Sequence, residues 1–189
     1  RKSNAAWLRA MSYAQYTPSP LDGFNILNYM ALIVTVRGRK ESLEFFTAVA
    51  DEMERMMKEG ESQFKGEQKY RYMWEGLAVW PFLSHNYKTL KSHDAIFVGS
   101  SYPQNWNVDY APYDIDGMAR AFCEIPPNSC LQNNIDLRVN IMKGCHCDGA
   151  VYHRNRSCKL YGMVQQGLIE GVYKETGAPW ALFDGDQAD

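Results

Sequence analysis

The stretch that decides the fold is DGAVYHRNRSCK at 148–159. The apolar run GAVY at 149–152 predicts a short buried strand. A polar, cationic loop follows, and Cys158 stands at its end, where an apolar pattern of helical spacing begins. A strand that passes through a short loop into a helix is the building unit of a parallel α/β sheet.

The same alternation of apolar runs and helical patterns extends on both sides of this unit. Short continuous strands that alternate with helices are typical of a parallel sheet covered on both faces. The fold class is therefore predicted to be α/β, with a parallel sheet and flanking helices. The predicted strands are 70–74, 95–99, 149–152 and 180–183, and the helices between them are 82–92, 114–123, 131–145 and 159–176.

The part of the chain before the first strand is predicted to be mainly helical. Residues 1–18 lack a clear pattern, whereas Ser19 is placed to cap a helix that runs to about Val36. Residues 40–59 carry one apolar stripe at helical spacing, and Gly60 follows as a stop.

A polar linker separates these helices from the predicted sheet. It predicts a mainly helical connecting segment at 1–68 and an α/β domain at 69–189. The chain does not begin with Met and stops directly after the last predicted strand, so we expect it to be a piece of a longer protein.

Composition narrows the partners that the sequence favours. The 189 residues are 46% hydrophobic and 22% charged with a net charge of -2, which gives no reason to expect nucleic acid or an anionic membrane surface. The longest apolar run, 29–36, is too short to span a bilayer. Five cysteines without a secretory signal favour reduced thiols and a cytoplasmic location.

In open parallel sheets, ligands bind outside the carboxyl ends of the strands. This rule makes Glu75 and His153 candidates for acid–base chemistry, because each follows a predicted strand. The alternatives are a solvated carboxylate for Glu75 and a satisfied polar group for His153. Arg154 and Arg156 could hold anionic groups such as the phosphates of a thioester ligand, or could be solvated or paired with carboxylates.

Cys158 is the candidate for metal binding or nucleophilic chemistry. Neighbouring arginines and a helix N-terminus favour its thiolate, whereas the alternative is a small buried apolar residue. Cys145 and Cys147 precede the strand, so they lie more than about 15 Å from Cys158. One metal ion, with bonds to sulfur of about 2.3 Å, cannot serve both ends. These two cysteines, with Cys123 and Cys130, are predicted to be structural.

Four segments carry a resemblance to a known family. CDGAVYHRNRSCK at 147–159, with FDGDQAD at 183–189, resembles the C-terminal part of the 2-hydroxyacyl-CoA dehydratase and benzoyl-CoA reductase family. WEGLAVWP at 74–81 resembles the family's aromatic-Glu-Gly…Trp segment, although Leu77-Ala78 departs from it. MARAF at 118–122 also fits, most closely with the larger subunit of 2-hydroxyglutaryl-CoA dehydratase-type enzymes.

The resemblance implies a fold and a cofactor. The family's subunits have flavodoxin-like α/β domains with helical additions, and three cysteines of each subunit ligate a [4Fe–4S] cluster. Cys158 aligns with the last of these cysteines, and the other two belong to a region before Arg1. Ser157, Arg156 and His153 could then form hydrogen bonds with sulfur or substrate. The fragment alone is not expected to hold the cluster stably.

The resemblance also implies a reaction and partners. An ATP-dependent iron–sulfur activator delivers one electron to an (R)-2-hydroxyacyl-CoA that is bound by the chain and a homologous second subunit. The resulting ketyl radical expels the 2-hydroxyl group, and water is lost overall when the electron returns. A benzoyl-CoA reductase-type subunit is the alternative within the family. A cluster-free scaffold or partner subunit is the alternative from another class.

Overall fold

The fold is built around a parallel sheet, seen in a computed structural model that describes residues 1–186 and 188. Its strand order is β2-β1-β3-β4 and each neighbouring pair is parallel, which is the order of a flavodoxin-like sheet. The predicted fold class is confirmed. The strands of the described residues are β1 (Tyr70–Glu75), β2 (Ala95–Gly99), β3 (Gly149–Asn155) and β4 (Trp180–Gly185).

Helices precede the sheet and connect its strands. Short 3-10 turns at Tyr102–Trp106 and Pro126–Asn128 complete the connection between β2 and β3. The α-helices of the described residues are α1 (Lys2–Ser12), α2 (Gly23–Thr35), α3 (Lys40–Glu59), α4 (Leu83–Lys91), α5 (Ile115–Glu124), α6 (Leu131–Gly144) and α7 (Lys159–Thr176).

Side chains alternate between the two faces of the sheet, as the pleat of a strand requires. Met73 and Tyr152 pack against the buried faces of α6 and α7. Trp74 and Phe97 point the other way and pack around Phe24 of α2, with ring centroids 6.2 and 5.1 Å from the Phe24 ring. The two faces therefore have separate apolar cores.

The N-terminal helices share a third core with β2. Trp7 of α1 lies 5.1 Å from the ring of Phe46 in α3, and Ile96 and Val98 of β2 belong to the same cluster. The helical segment thus packs directly on the sheet, and the division at residue 68 stays a prediction. Within the described residues, no helix is long and apolar enough to cross a lipid bilayer.

Two predictions for the N-terminal segment are wrong. Residues 2–12 form a helix because Trp7 and Ala10 are buried against neighbouring helices, so tertiary packing supports a weak local pattern. Ser19 is not the cap of α2, since its hydroxyl donates to the carbonyl of Leu21 at 2.7 Å. Asp22 caps the helix instead and accepts the N–H of Phe24 at 3.2 Å.

The remaining elements follow the predicted pattern with small shifts. The bounds of α3 and α7 match, and Gly60 ends α3 in a left-handed conformation. β3 continues three residues past the predicted end at Tyr152, because it stays paired with β4 as far as Asn155. Of the quoted FDGDQAD segment, Gln187 and Asp189 lie outside the described residues.

Candidate functional site

The carboxyl ends of the four strands meet at one edge of the sheet. Glu75 is the last residue of β1, Ser100 and Ser101 follow β2, and Cys158 follows β3. Asp184 lies near the end of β4. The structure therefore gathers these polar residues at the edge where ligands of such sheets bind.

Cys158 stands at the N-terminus of α7 and is partly exposed. Its backbone N–H donates to Oδ1 of Asn155 at 2.9 Å, and its carbonyl accepts the N–H of Gly162 at 2.9 Å. The N-terminus of this 18-residue helix places a partial positive charge beside Cys158.

A surface groove of about 380 Å³ runs past Cys158. Arg154, Arg156 and Lys159 line it, and Asp184 is its acidic member. Arg154 is bound to Asp184 through two hydrogen bonds, the longer being 3.0 Å, so Arg154 shows the carboxylate pairing that was one of its two alternatives. The groove keeps an excess of positive charge beside the sulfur.

Ser157 is held by an acidic neighbour. Its hydroxyl donates a hydrogen bond to the carboxylate of Asp186, and Asn155 donates to the same carboxylate at 3.4 Å. The backbone N–H of Arg156 donates to the carbonyl of Gly185 at 2.9 Å. These bonds tie the loop after β3 to the end of β4 and fix the backbone that leads into Cys158.

Glu75 is fully buried, so the alternative of a solvated carboxylate is wrong. Its Oε1 accepts a hydrogen bond from Nη2 of Arg138 at 2.5 Å, and the two side chains are each 1% exposed. The hydroxyl of Ser101 lies 2.8 and 2.7 Å from the two carboxylate oxygens. A buried ion pair therefore joins β1, the loop after β2 and α6.

Arg138 is a member of the site that the sequence prediction missed. It lies on the buried stripe of α6 with Ile135, Val139 and Met142. Its Nη1 donates to Asn134 at 3.0 Å (carbonyl) and 2.7 Å (Oδ1). A single cation in an apolar helical stripe is the signal that could have identified it, because a buried charge requires a partner.

Two tyrosines surround this ion pair. Burial raises the pKa of Tyr152 well above its ordinary value, and the nearby Glu75 carboxylate raises it further. The same two causes, in the same order, raise the pKa of Tyr161. Both phenols therefore stay neutral, and the Tyr161 hydroxyl donates a hydrogen bond to Asn105.

His153 lies inside β3 rather than after it, which corrects its predicted place. The side chain is fully buried, and its ring stacks on Phe183 with centroids 4.8 Å apart. Its Nδ1 lies 2.7 Å from the carbonyl oxygen of Leu77, so this nitrogen carries the proton. Nε2 has no partner among the described residues.

The structure does not bring His153 and Glu75 together. Glu75 faces α6, whereas His153 lies on the opposite face with Trp74, whose ring centroid is 6.3 Å away. The two predicted acid–base residues are thus separated by the sheet itself.

Cys145 and Cys147 cannot join Cys158 around one metal ion. Cys145 and Cys147 lie before β3, at the opposite edge of the sheet. Burial raises the pKa of Cys145 to about 11 and raises that of Cys147 further still. Among the described residues, no group of three or more His, Cys, Asp or Glu side chains could hold a metal.

A parallel sheet of order β2-β1-β3-β4 with flanking helices defines this chain as a flavodoxin-like α/β protein, and its carboxyl edge carries Cys158 and a cationic groove. Over residues 1–189 it matches the family described as 2-hydroxyglutaryl-CoA dehydratase, D-component, and it belongs to that family. The predicted family resemblance is thereby confirmed.

The similar curated proteins are alpha subunits of dehydratases. Lactoyl-CoA dehydratase subunit alpha of Anaerotignum propionicum is 43% identical over 185 residues, which are 97% of this chain and 44% of that protein. The (R)-2-hydroxyisocaproyl-CoA dehydratase alpha subunit of Clostridioides difficile is 44% identical, covering 97% and 45% of the two chains. The (R)-2-hydroxyglutaryl-CoA dehydratase subunit alpha of Acidaminococcus fermentans is 35% identical, covering 97% and 38%. The chain spans less than half the length of these relatives.

Proposed function

We propose that this chain is part of one subunit of an (R)-2-hydroxyacyl-CoA dehydratase, which removes water from its thioester substrate. The family match and the names of the relatives support this proposal. The single observation that carries it is the placement of Cys158, partly exposed, at the N-terminus of α7 and beside a cationic groove.

We propose Cys158 as one ligand of a [4Fe–4S] cluster. The site fits this role for one cysteine, because Cys158 is partly exposed at a helix N-terminus and lines a cationic groove. The remaining ligands would come from outside the described residues, since these hold no metal-binding group of three. A bound cluster supplies one-electron chemistry and a Lewis-acidic iron.

The cationic residues that line the groove favour a negatively charged ligand. Lys159 and Arg156 line the groove beside Cys158 and would attract an anionic thioester ligand. The α7 N-terminus adds a partial positive charge at the same place. Ser157, bound to Asp186, fixes the loop backbone and would form hydrogen bonds with sulfur or substrate only after exchanging that partner.

The acid–base roles of Glu75 and His153 stay predictions. Glu75 is paired with Arg138 and His153 is sealed under Phe183, so neither is in contact with the groove in this structure. A holding role for Glu75 agrees better with its burial than direct proton transfer.

The partners and the location belong to the proposal as well. The relatives are named as alpha subunits, which supports a homologous second subunit. An ATP-dependent iron–sulfur activator would then provide the electron. All five cysteines are free thiols, which supports a reducing cytoplasm.

The test is iron and acid-labile sulfide content of the full-length subunit, purified anaerobically with its partner. Cys158→Ser should lower iron content and dehydratase activity together. Cys130→Ser, which changes an exposed cysteine at the start of α6, is the matched control and should keep both. Full iron loading of the Cys158→Ser enzyme would refute the assignment.

Substrate assays separate the alternatives. Turnover of 2-hydroxyacyl-CoA thioesters supports the dehydratase, and reduction of benzoyl-CoA would support the reductase. Absence of iron, where a control iron–sulfur protein retains its own, would favour the cluster-free scaffold.

A further inference from the structure

The first turns of α7 are not held to the sheet by apolar packing. Leu168 is the first buried apolar residue of this helix, ten positions after Cys158 (168 − 158). At about 1.5 Å per residue, roughly 15 Å of helix separates Cys158 from the apolar core. The apolar side chains nearer to Cys158, those of Leu160 and Met163, are 61% and 83% exposed. Something other than apolar burial must therefore fix the position of Cys158.

Polar contacts hold this part of the helix. Tyr161, one turn after Cys158, donates its hydroxyl proton to Oδ1 of Asn105 at 3.1 Å. Nδ2 of Asn105 donates back to the tyrosine oxygen at 2.8 Å. Gln165, one turn further, donates to the carbonyl of His153 at 3.4 Å, which is a weaker contact. The reciprocal Tyr161–Asn105 pair, which joins α7 to the loop after β2, is stronger than the contact of Gln165 with β3.

Asn105 is itself rigidly placed. It is 8% exposed and lies in the 3-10 turn Tyr102–Trp106, directly after Ser101. Ser101 donates to the buried carboxylate of Glu75, which is paired with Arg138. The segment from Ser101 to Asn105 is thus bonded at its start to the buried Glu75 carboxylate and at Asn105 to the first turn of α7.

We infer that Tyr161 is a positioning residue: its reciprocal hydrogen bond with Asn105 fixes the first turn of α7 and thereby the place of the Cys158 sulfur. The inference rests on the proposed function, in which Cys158 is a ligand of a cluster. Directional hydrogen bonds suit this task because they constrain both the distance and the angle between the groups that they join.

The test compares Tyr161→Phe with Tyr173→Phe in the full-length subunit bound to its partner. Tyr173 is a 52% exposed tyrosine of the same helix, so its variant controls for the loss of a hydroxyl group. The reporter is hydrogen exchange of the Gly162 amide, which is bonded to the Cys158 carbonyl at 2.9 Å. Loss of the part-buried hydrogen-bond pair with Asn105 should speed this exchange about tenfold in Tyr161→Phe, and Tyr173→Phe should leave it unchanged.

A second readout reports on the sulfur itself. The electron paramagnetic resonance spectrum of the reduced, cluster-loaded complex should shift its g values in Tyr161→Phe, because a displaced ligand changes the cluster. A merely destabilised protein would lose signal intensity without a shift. Asn105→Leu should give the same shift, and the double variant should add nothing to it. Asn105→Leu also serves if Tyr161→Phe fails to fold.

The failures are distinguishable. Wild-type exchange and wild-type g values in folded Tyr161→Phe would overturn the inference and leave the cluster assignment intact. If Cys158→Ser retains full iron, the proposed function fails, while exchange at Gly162 still decides whether Tyr161 holds the turn. Faster exchange with unchanged g values would also overturn the inference, since the tyrosine would then support the helix without placing the sulfur.

Discussion

The buried Glu75–Arg138 pair allows a sharp test of how this sheet edge is held. Replacing Arg138 by Met keeps a long apolar stem in the stripe of α6 but removes the only cation that the described residues bring to Glu75. The carboxylate then stays buried with the Ser101 hydroxyl as its remaining partner. Replacing Glu75 by Leu leaves the Arg138 guanidinium buried without its carboxylate partner.

The structure sets the size of the effect. Two unit charges with centres about 4 Å apart attract by about 4 kcal/mol at an effective dielectric constant of about 20. Because the two side chains are each 1% exposed, water cannot take over the role of the lost partner. We therefore expect each single variant to lower the free energy of unfolding by about 3–5 kcal/mol. The double variant should lose much less than the sum, because no charge remains buried alone.

The assay is hydrogen exchange in rising denaturant, read in peptides from β1 and α6 of the full-length subunit. Arg55→Met is the matched control. Arg55 also binds several carboxylates, but it is 44% exposed on α3, so we expect no measurable change. Additive losses in the Glu75→Leu/Arg138→Met enzyme, or single variants as stable as the wild type, would refute the reasoning.

Other predictions concern single residues outside the ion pair. Gly76→Ala should cost about 3 kcal/mol of stability, since φ is +95° and the new Cβ would lie 2.3 Å from a carbonyl oxygen of β3. Gly38→Ala, at φ +80° with no atom within 4 Å, should cost only about 1 kcal/mol in the same thermal unfolding assay, and equal losses would contradict this. Burial raises the pKa of Asp22 from 3.8 to about 7, so the native state binds an extra proton between these values and loses stability as pH rises through them. Asp22→Asn should flatten that dependence and be more stable than the wild type above pH 7, and parallel pH curves from denaturant titrations would exclude the mechanism. Iodoacetamide should label Cys158 in the iron-free native protein at least about tenfold faster than Cys145, whose pKa burial raises to about 11, and mass spectrometry showing equal rates would contradict the thiol environments described.

The strands and helices that could be predicted are those that local sequence patterns determine. The apolar run at 149–152 and the stripe at 40–59 needed no tertiary information, and β3 and α3 formed where these patterns indicated. The shared carboxyl edge followed from the parallel strands alone. Cys158 could therefore be placed at that edge from its position in the chain.

The unpredicted part depends on contacts between distant segments. Arg138 and Glu75 are 63 positions apart, and the sequence around Glu75 does not indicate that Arg138 is its partner. His153 lies on a face of the sheet because β3 extends beyond Tyr152, and this extension depends on pairing with β4. No side chain caps the N-terminus of α1, so this helix depends on packing between distant residues, such as the contact of Trp7 with Phe46.

The buried ion pair is informative because stability alone does not explain it. A well-packed apolar pair of similar volume is often as stable as a buried salt bridge, since desolvation offsets most of the attraction. Apolar packing, however, would leave the loop after β2 without the hydroxyl–carboxylate bond that fixes Ser101 and, through Asn105, the first turn of α7. The buried charges at this edge therefore serve to hold Ser101 and the first turn of α7 in defined positions. Cys158, which lines the cationic groove, directly precedes that turn.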